Sequence, residues 1–399
     1  MGGRGRGAAL FAALGLAALY GCGKATERPA VPSPGPPATE PAPGGPDGGP
    51  EPMPASEPAT TLTSGEHGPL VLASDPDRLY WGTTEQGTGP VIRVMPKNGG
   101  STATLIAVPR ALDLTGGLHH TAWIDALYVD ASWVFFSAME VESVPNPDEV
   151  ATVHQLSAFY RAPKSGGTAE PFPGLEGFGP PIAPFSPDDD FIYSFQELSA
   201  AGIVLAAVPK AGGASRAISL EAPDGKLFQV NSIAMDAHHW YVSRSNYFGA
   251  AHAQCVSRAP KSGGVLEDIW CPDFMVQLLL PAPGQLFGVN PWPWTAAPGP
   301  WAIDLATGRP GPVALSDKQV TEVAVDPSGA SLYAIELAYG STIPLVPGTW
   351  DVVHIDLASR RRTLLDRSEP QQPRRGTRLI VEAGTIFFTR DGEVLRMER

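Results

Sequence analysis

The chain has 399 residues, 44 of them glycine and 43 proline, and only 17% are charged, against about 25% in an ordinary soluble protein. So much glycine and proline excludes a fold of long helices, because both are costly in helix interiors, and points to a turn-rich, all-β body. The net charge is −13, and the one run of three basic residues, Arg360-Arg361-Arg362, is short; so acidic a chain argues against nucleic acid as the partner, since phosphate binding needs an extended basic face.

At the N-terminus, Arg4 and Arg6 precede an apolar run from Ala8 to Tyr20. The run is too short to span a bilayer and reads as the core of a signal peptide. It ends in Leu19-Tyr20-Gly21-Cys22, which resembles the bacterial lipobox, with Tyr20 standing where a small residue is usual. The resemblance implies that residues 1–21 are removed and that Cys22 is lipidated, several acyl chains giving a stable membrane anchor. Gly23 in place of Asp implies, by the same likeness, outer-membrane delivery, so the expected address is the bacterial cell envelope, facing the periplasm or the cell surface.

Residues 22–56 come next. From Pro29 to Pro58 there are 12 prolines, and no aromatic residue occurs between Tyr20 and Tyr80. Such a segment cannot bury enough apolar surface to order itself. It is predicted to be a disordered tether.

The remaining chain, 57–399, repeats. Pro96-Lys97-Asn98-Gly99-Gly100 recurs at Pro163, Pro209 and Pro260, and four of the seven lysines occupy this one motif position. Degenerate copies follow at Asp304-Leu305-Ala306-Thr307-Gly308 and Asp356-Leu357-Ala358-Ser359-Arg360. Each copy follows a β-rich run; proline ends the ladder and the glycines supply positive φ for a hairpin. Upstream of each copy sits a second hairpin, with strands such as Tyr80-Trp81, Phe135-Phe136, Trp240-Tyr241 and Phe387-Phe388 entered from turns rich in Asp, Pro or Gly. Four antiparallel strands per unit, A to D, predict a seven-bladed β-propeller. The last unit ends after strand C, and residues 57–66, which look like a D strand, are predicted to cross the seam and complete it.

Tyr80-Trp81-Gly82 with the Pro-Lys-x-Gly-Gly hairpin behind it is similar to the YWTD, NHL and TolB-like propeller repeats, and most of all to bacterial surface lipoproteins of that group. Two departures mark it: most copies lack the Asp of the YWTD type, and those propellers usually have six blades. The resemblance implies a fold and leaves the activity open, because such propellers include both binding modules and enzymes.

Cys255 and Cys271 bracket the Pro260 turn, so they face each other across strands C and D of blade four, and a disulfide is expected in an oxidising compartment. In a four-stranded meander the A–B and C–D turns share one face and the B–C and D–A loops the other. The long insertions, 137–157, 194–202, 243–254, 290–300 and 335–350, all fall on the B–C and D–A face, which is therefore the expected binding face. Tyr247, Trp292, Trp294, Tyr339 and Trp350, together with Phe248, are its candidate stacking residues for a glycan or protein, the alternative being that they pack their own loops.

His119, His120 and His154, with Asp113 or Glu140, are weak metal candidates, since ligand-type spacing is missing; no metal and no cofactor is expected. Asp188-Asp189-Asp190 lies in an A–B turn and lacks the alternation of a calcium loop. No G-x-S-x-G, H-E-x-x-H, C-x-x-C or Walker loop occurs. The expectation is a monomeric, lipid-anchored, non-enzymatic module that binds a protein or glycan of the envelope. The alternative is an envelope hydrolase or lyase with its site at the channel mouth. Converging titratable groups there would favour the enzyme, and an aromatic patch the module.

Overall fold

The computed structural model describes residues 58–66, 71–85, 89–108, 119–144, 151–172, 186–197, 203–223, 228–246, 254–272, 274, 276, 278–289, 300–313, 319–339, 347–368, 378–390 and 392–398. Seven sheets of antiparallel strands follow one another in a ring within Ser56–Arg399, and no helix occurs among the described residues. The lipobox with Cys22, and the tether over 22–56, lie outside the described residues.

Each blade is a meander. Blade one runs Val71–Ser74, Arg78–Glu85, Gly89–Pro96, Ala103–Ala107, and blade seven runs Leu379–Glu382, Thr385–Arg390, Glu393–Glu398. The fourth strand of blade seven is Thr60–Thr63, with Thr61 opposite Leu395 and Thr63 opposite Val394, as expected from the missing D strand. The A strands of blades seven, one and two neighbour one another, as do those of blades three through seven. They form the inner wall of the ring.

Alternation along strand B decides which blade each residue meets. Leu79 and Trp81 of blade one pack on Phe387 and Val394 of blade seven, while Tyr80 faces Ile124, Val134 and Phe136 of blade two. Trp81 and Phe387 are fully buried, each worth about 2–3 kcal/mol. The glycine of Tyr80-Trp81-Gly82 is a packing residue: a Cβ there would stand 2.8 Å from Cβ of Ile124 and 2.9 Å from Cγ2 of Val71.

The Pro-Lys-x-Gly-Gly turn seats each blade on the one before. Its lysine N–H donates to the A–B turn of its own blade, as Lys97 does to Asp77 O at 3.0 Å. Its ammonium reaches backwards: Lys97 to Glu382 of blade seven at 2.5 Å, Lys164 to Asp75 of blade one at 2.5 Å, Lys210 to the Tyr128 hydroxyl of blade two at 2.9 Å, Lys261 to Asp188 of blade three at 3.2 Å. In the degenerate copies the same position is Leu305 and Leu357, which pack against the apolar clusters instead. Gly263 has φ 91°, and a Cβ on it would lie 2.6 Å from Ser219 O in strand D of blade three. Just beyond, Gly264–Val265 pairs in parallel with that strand, an addition the repeat pattern does not anticipate.

The acids of the A–B turns serve the same architecture. Asp188 Oδ1 accepts the N–H groups of Asp190 and Phe191 at 3.1 and 2.8 Å, and Oδ2 accepts the Tyr193 hydroxyl at 2.6 Å. Asp75 with Tyr80 and Asp236 with Tyr241 repeat the arrangement. The triple acid at 188–190 is thus a turn. Cys255 and Cys271 form a disulfide across strands C and D of blade four, where Val256 pairs with Trp270.

Candidate functional site: the channel wall

Strand A of blades two, four and six carries a register shift at Asp125, Asn231 and Thr321 respectively. A bulge re-aims side chains and interrupts the ladder, and here it places polar groups on the inner wall. Asp125 accepts the Ser137 hydroxyl at 2.5 Å. Asn231 donates to Gln254 at 3.2 Å, and the Thr321 hydroxyl donates to Ile335 O at 3.2 Å.

Next to Thr321, Glu322 pairs with Arg378 of blade seven at 3.1 Å. The Arg378 N–H donates to the Thr389 hydroxyl at 3.0 Å, and the Arg378 carbonyl accepts from Thr389 N–H, so Arg378 stands immediately before strand A, at the end where the D–A loops enter. Its charge also bears on Asp125. Three charged groups from blades two, six and seven thus share one electrostatic neighbourhood.

Burial pushes the carboxyl of Asp125 above its ordinary range, against the pull of the Ser137 hydroxyl and Arg378. Burial likewise raises Glu322, with Arg378 opposing it. One arginine, bonded to Glu322 and acting on Asp125 through its charge alone, leaves the two desolvated acids short of compensating charge. Chemically, the wall can hold a proton on a carboxyl, or accept a cationic or hydrogen-bond-donating group.

Two other buried charge groups belong each to a single blade. Arg244 bonds Asp268 twice at 2.8 Å and Ser257 at 3.0 Å in blade four. In blade six, Arg367 grips the fully buried Asp351 at 2.9 and 3.0 Å, and Arg362 holds Glu336. These ladders brace strands B to D and lie away from the inner wall. The sulfurs of Cys255 and Cys271 lie near Asp268, but they are joined to each other and unavailable as ligands.

Several expected loops are strands. Blade two runs Trp133–Val144 and Ala151–Pro163, and blade six Ser331–Tyr339 and Pro347–Asp356, so the insertions at 137–157 and 335–350 are mostly extended hairpin. The reason is in the sequence, where Met139-Glu140-Val141-Glu142 continues the strand alternation. His119 and His120 begin strand A of blade two rather than sitting in a D–A loop, and His154 lies in strand C. Backbone register sets His120 opposite Glu142 and Glu142 opposite His154.

Trp350, expected as an exposed loop aromatic, is 8% exposed and packs with Leu337, Leu379 and Phe388 between blades six and seven. Strand C of blade six starts before it and turns it inward. Tyr339 closes strand B of that blade, opposite Pro347. Tyr247, Phe248, Trp292 and Trp294 lie outside the described residues. Asp125, Glu322 and Arg378 were not candidates from sequence; the available signal was a charge inside an otherwise apolar A strand, as in Val320-Thr321-Glu322-Val323.

No family model matches the chain, and no curated protein matches it. Among solved structures it is similar to the extracellular domain of a one-component system from B. thetaiotaomicron, at 12% identity and TM-score 0.51, over 86% of this chain and 40% of that one. It is also similar to a puromycin-hydrolysing peptidase from Mycobacterium tuberculosis, at 15% identity and TM-score 0.50, over 86% and 54%. The chain therefore spans about half the length of these proteins or less, and at such identity the likeness shows the propeller fold alone.

Proposed function

We propose that the protein is an outer-membrane lipoprotein of the bacterial envelope, related to the YWTD, NHL and TolB-like repeat propellers. In this reading Cys22 carries the lipid, residues 22–56 space the ring from the membrane, and the ring is a non-enzymatic module for a protein or glycan. The ligand sits on the B–C and D–A face, with Tyr247, Trp292, Trp294 and Tyr339 as stacking surfaces and Arg378, Glu322 and Asp125 as a charged centre. The carrying observation is that Glu322 of blade six pairs with Arg378 of blade seven at 3.1 Å on the inner wall, and that the Arg378 charge also bears on the buried Asp125 of blade two. The extracellular placement of one structural neighbour agrees with an envelope address.

A specific observation favours the alternative hydrolase or lyase: burial raises both Asp125 and Glu322, which suits a carboxyl that donates a proton. Cross-linking capture from the native envelope separates the readings, using wild type, Arg378→Gln and Trp292→Ala/Trp294→Ala. One protein or glycan captured by wild type and lost from both variants supports the module. Capture unchanged in both variants contradicts it, and turnover of an envelope substrate abolished by Asp125→Asn establishes the enzyme.

A further inference from the structure

The motif lysines are engaged by the preceding blade, and Arg367 and Arg390 by Asp351 and Asp366. Arg309 and Arg360 differ. Among the described residues neither guanidinium is bonded to a carboxylate, although the charge of Arg309 bears on Asp304. Both line one cleft of about 310 Å³ between blades five and six, whose wall also holds Gln285, Asp304, Val313 and Leu357. The cleft borders the C–D turns, on the face opposite the B–C loops.

Its chemistry is two-sided. Val313 is buried and belongs with Leu357 to the apolar cluster between the two blades. Asp304 is the cleft's carboxylate, and its Oδ1 is taken by the N–H groups of Ala306 and Thr307 at 2.9 and 2.8 Å. The Asp304 charge is offset by that of Arg309, so with Arg360 the cleft keeps a net positive charge for a ligand to meet.

The backbone adds an independent observation. Arg360 has φ 58° and is the one non-glycine residue with positive φ among those described. Its counterpart in the preceding turn is Gly308, at φ 67°. A left-handed conformation strains any residue with a Cβ, and such strain concentrates at functional sites. A guanidinium stands where glycine would fit the turn without strain.

We propose that this cleft binds a small organic anion, a carboxylate or phosphate on an apolar group. Arg309 and Arg360 hold the anionic oxygens, and Val313 and Leu357 lie beneath the apolar part. Isothermal titration of the purified protein with phenyl phosphate, and separately with benzoate, tests the site and distinguishes the two anions. A saturable heat with at least one probe is expected, and Arg309→Gln is expected to weaken it about tenfold. Arg360→Gly is expected to weaken it similarly while raising Tm by about 1–2 °C, because glycine relieves the turn. A merely structural arginine would not couple lost binding to gained stability. No saturable heat with either probe, or wild-type affinity in Arg360→Gly, overturns the proposal.

Discussion

The ammonium of Lys164 in blade two lies 2.5 Å from Oδ2 of Asp75 in blade one, and the same oxygen accepts the Tyr80 hydroxyl at 2.7 Å. Burial alone would raise the Asp75 carboxyl, but the bonds from Lys164, Tyr80 and the N–H groups of Asp77 and Arg78 outweigh it and hold it at about 2. A folded-state pKa below the unfolded value stabilises the fold above about pH 4, and that contribution is lost as pH falls through about 2. Asp75→Asn is therefore expected to cost about 1–2 kcal/mol at neutral pH, allowing for solvent at the blade edge. In denaturant titrations the gap between wild type and variant should close between pH 4 and 2. A gap that stays constant with pH would show that the staple is not ionic.

The channel acids carry the opposite sign. Burial raises Asp125 and Glu322 in the folded state, so each takes up protons on folding and stability declines as pH rises from the unfolded pKa through the folded one. Glu322→Gln should flatten that decline, leaving the variant relatively more stable at pH 8 than at pH 4. Arg378→Met should steepen it and cost about 1–3 kcal/mol near neutrality, because Glu322 then loses its ion-pair partner. Parallel pH profiles for wild type and both variants would remove the electrostatic account of the wall.

Ring closure rests on few residues. Thr60–Thr63 pairs with the last strand, Glu66 N–H donates to Gly392 O at 3.0 Å, and Glu66 meets Arg93 at 3.5 Å. Deleting 57–66 exposes the edge of blade seven, so a lower Tm and concentration-dependent association are expected. An unchanged Tm in the monomeric state would refute closure by this strand.

The Cys255–Cys271 bond closes a loop of 16 residues, and in the loop-entropy model such a link is worth about 3 kcal/mol. Cys255→Ser/Cys271→Ser should lose stability of that order, and non-reduced peptide mapping should recover the linked pair. Two alkylatable thiols in native protein would reject it.

The fold was legible because its signal is local and repeated. Proline after a strand, glycine in the turn and a fixed lysine mark every early blade, and Leu305 and Leu357 keep the turn when the lysine is lost. The seam was legible from Thr60 to Thr63 because the last blade lacks a strand. The channel group was not, because Asp125, Glu322 and Arg378 are distant in sequence and only the closed ring brings them near. Trp350 misled for a simpler reason: a strand that runs further than its turn residues imply converts a loop aromatic into core. Arg360 carries no sequence signal beyond standing where its neighbour has glycine.

Hydrogen–deuterium exchange of the protein with and without isolated native envelope tests the binding face most directly. Protection is expected in strands A of blades two, six and seven, around Ile124, Val320 and Leu379, and in the B–C connections between them. It should disappear in Arg378→Gln. Protection confined to the Pro-Lys-x-Gly-Gly turns, or none at all, would contradict a ligand seated over the channel.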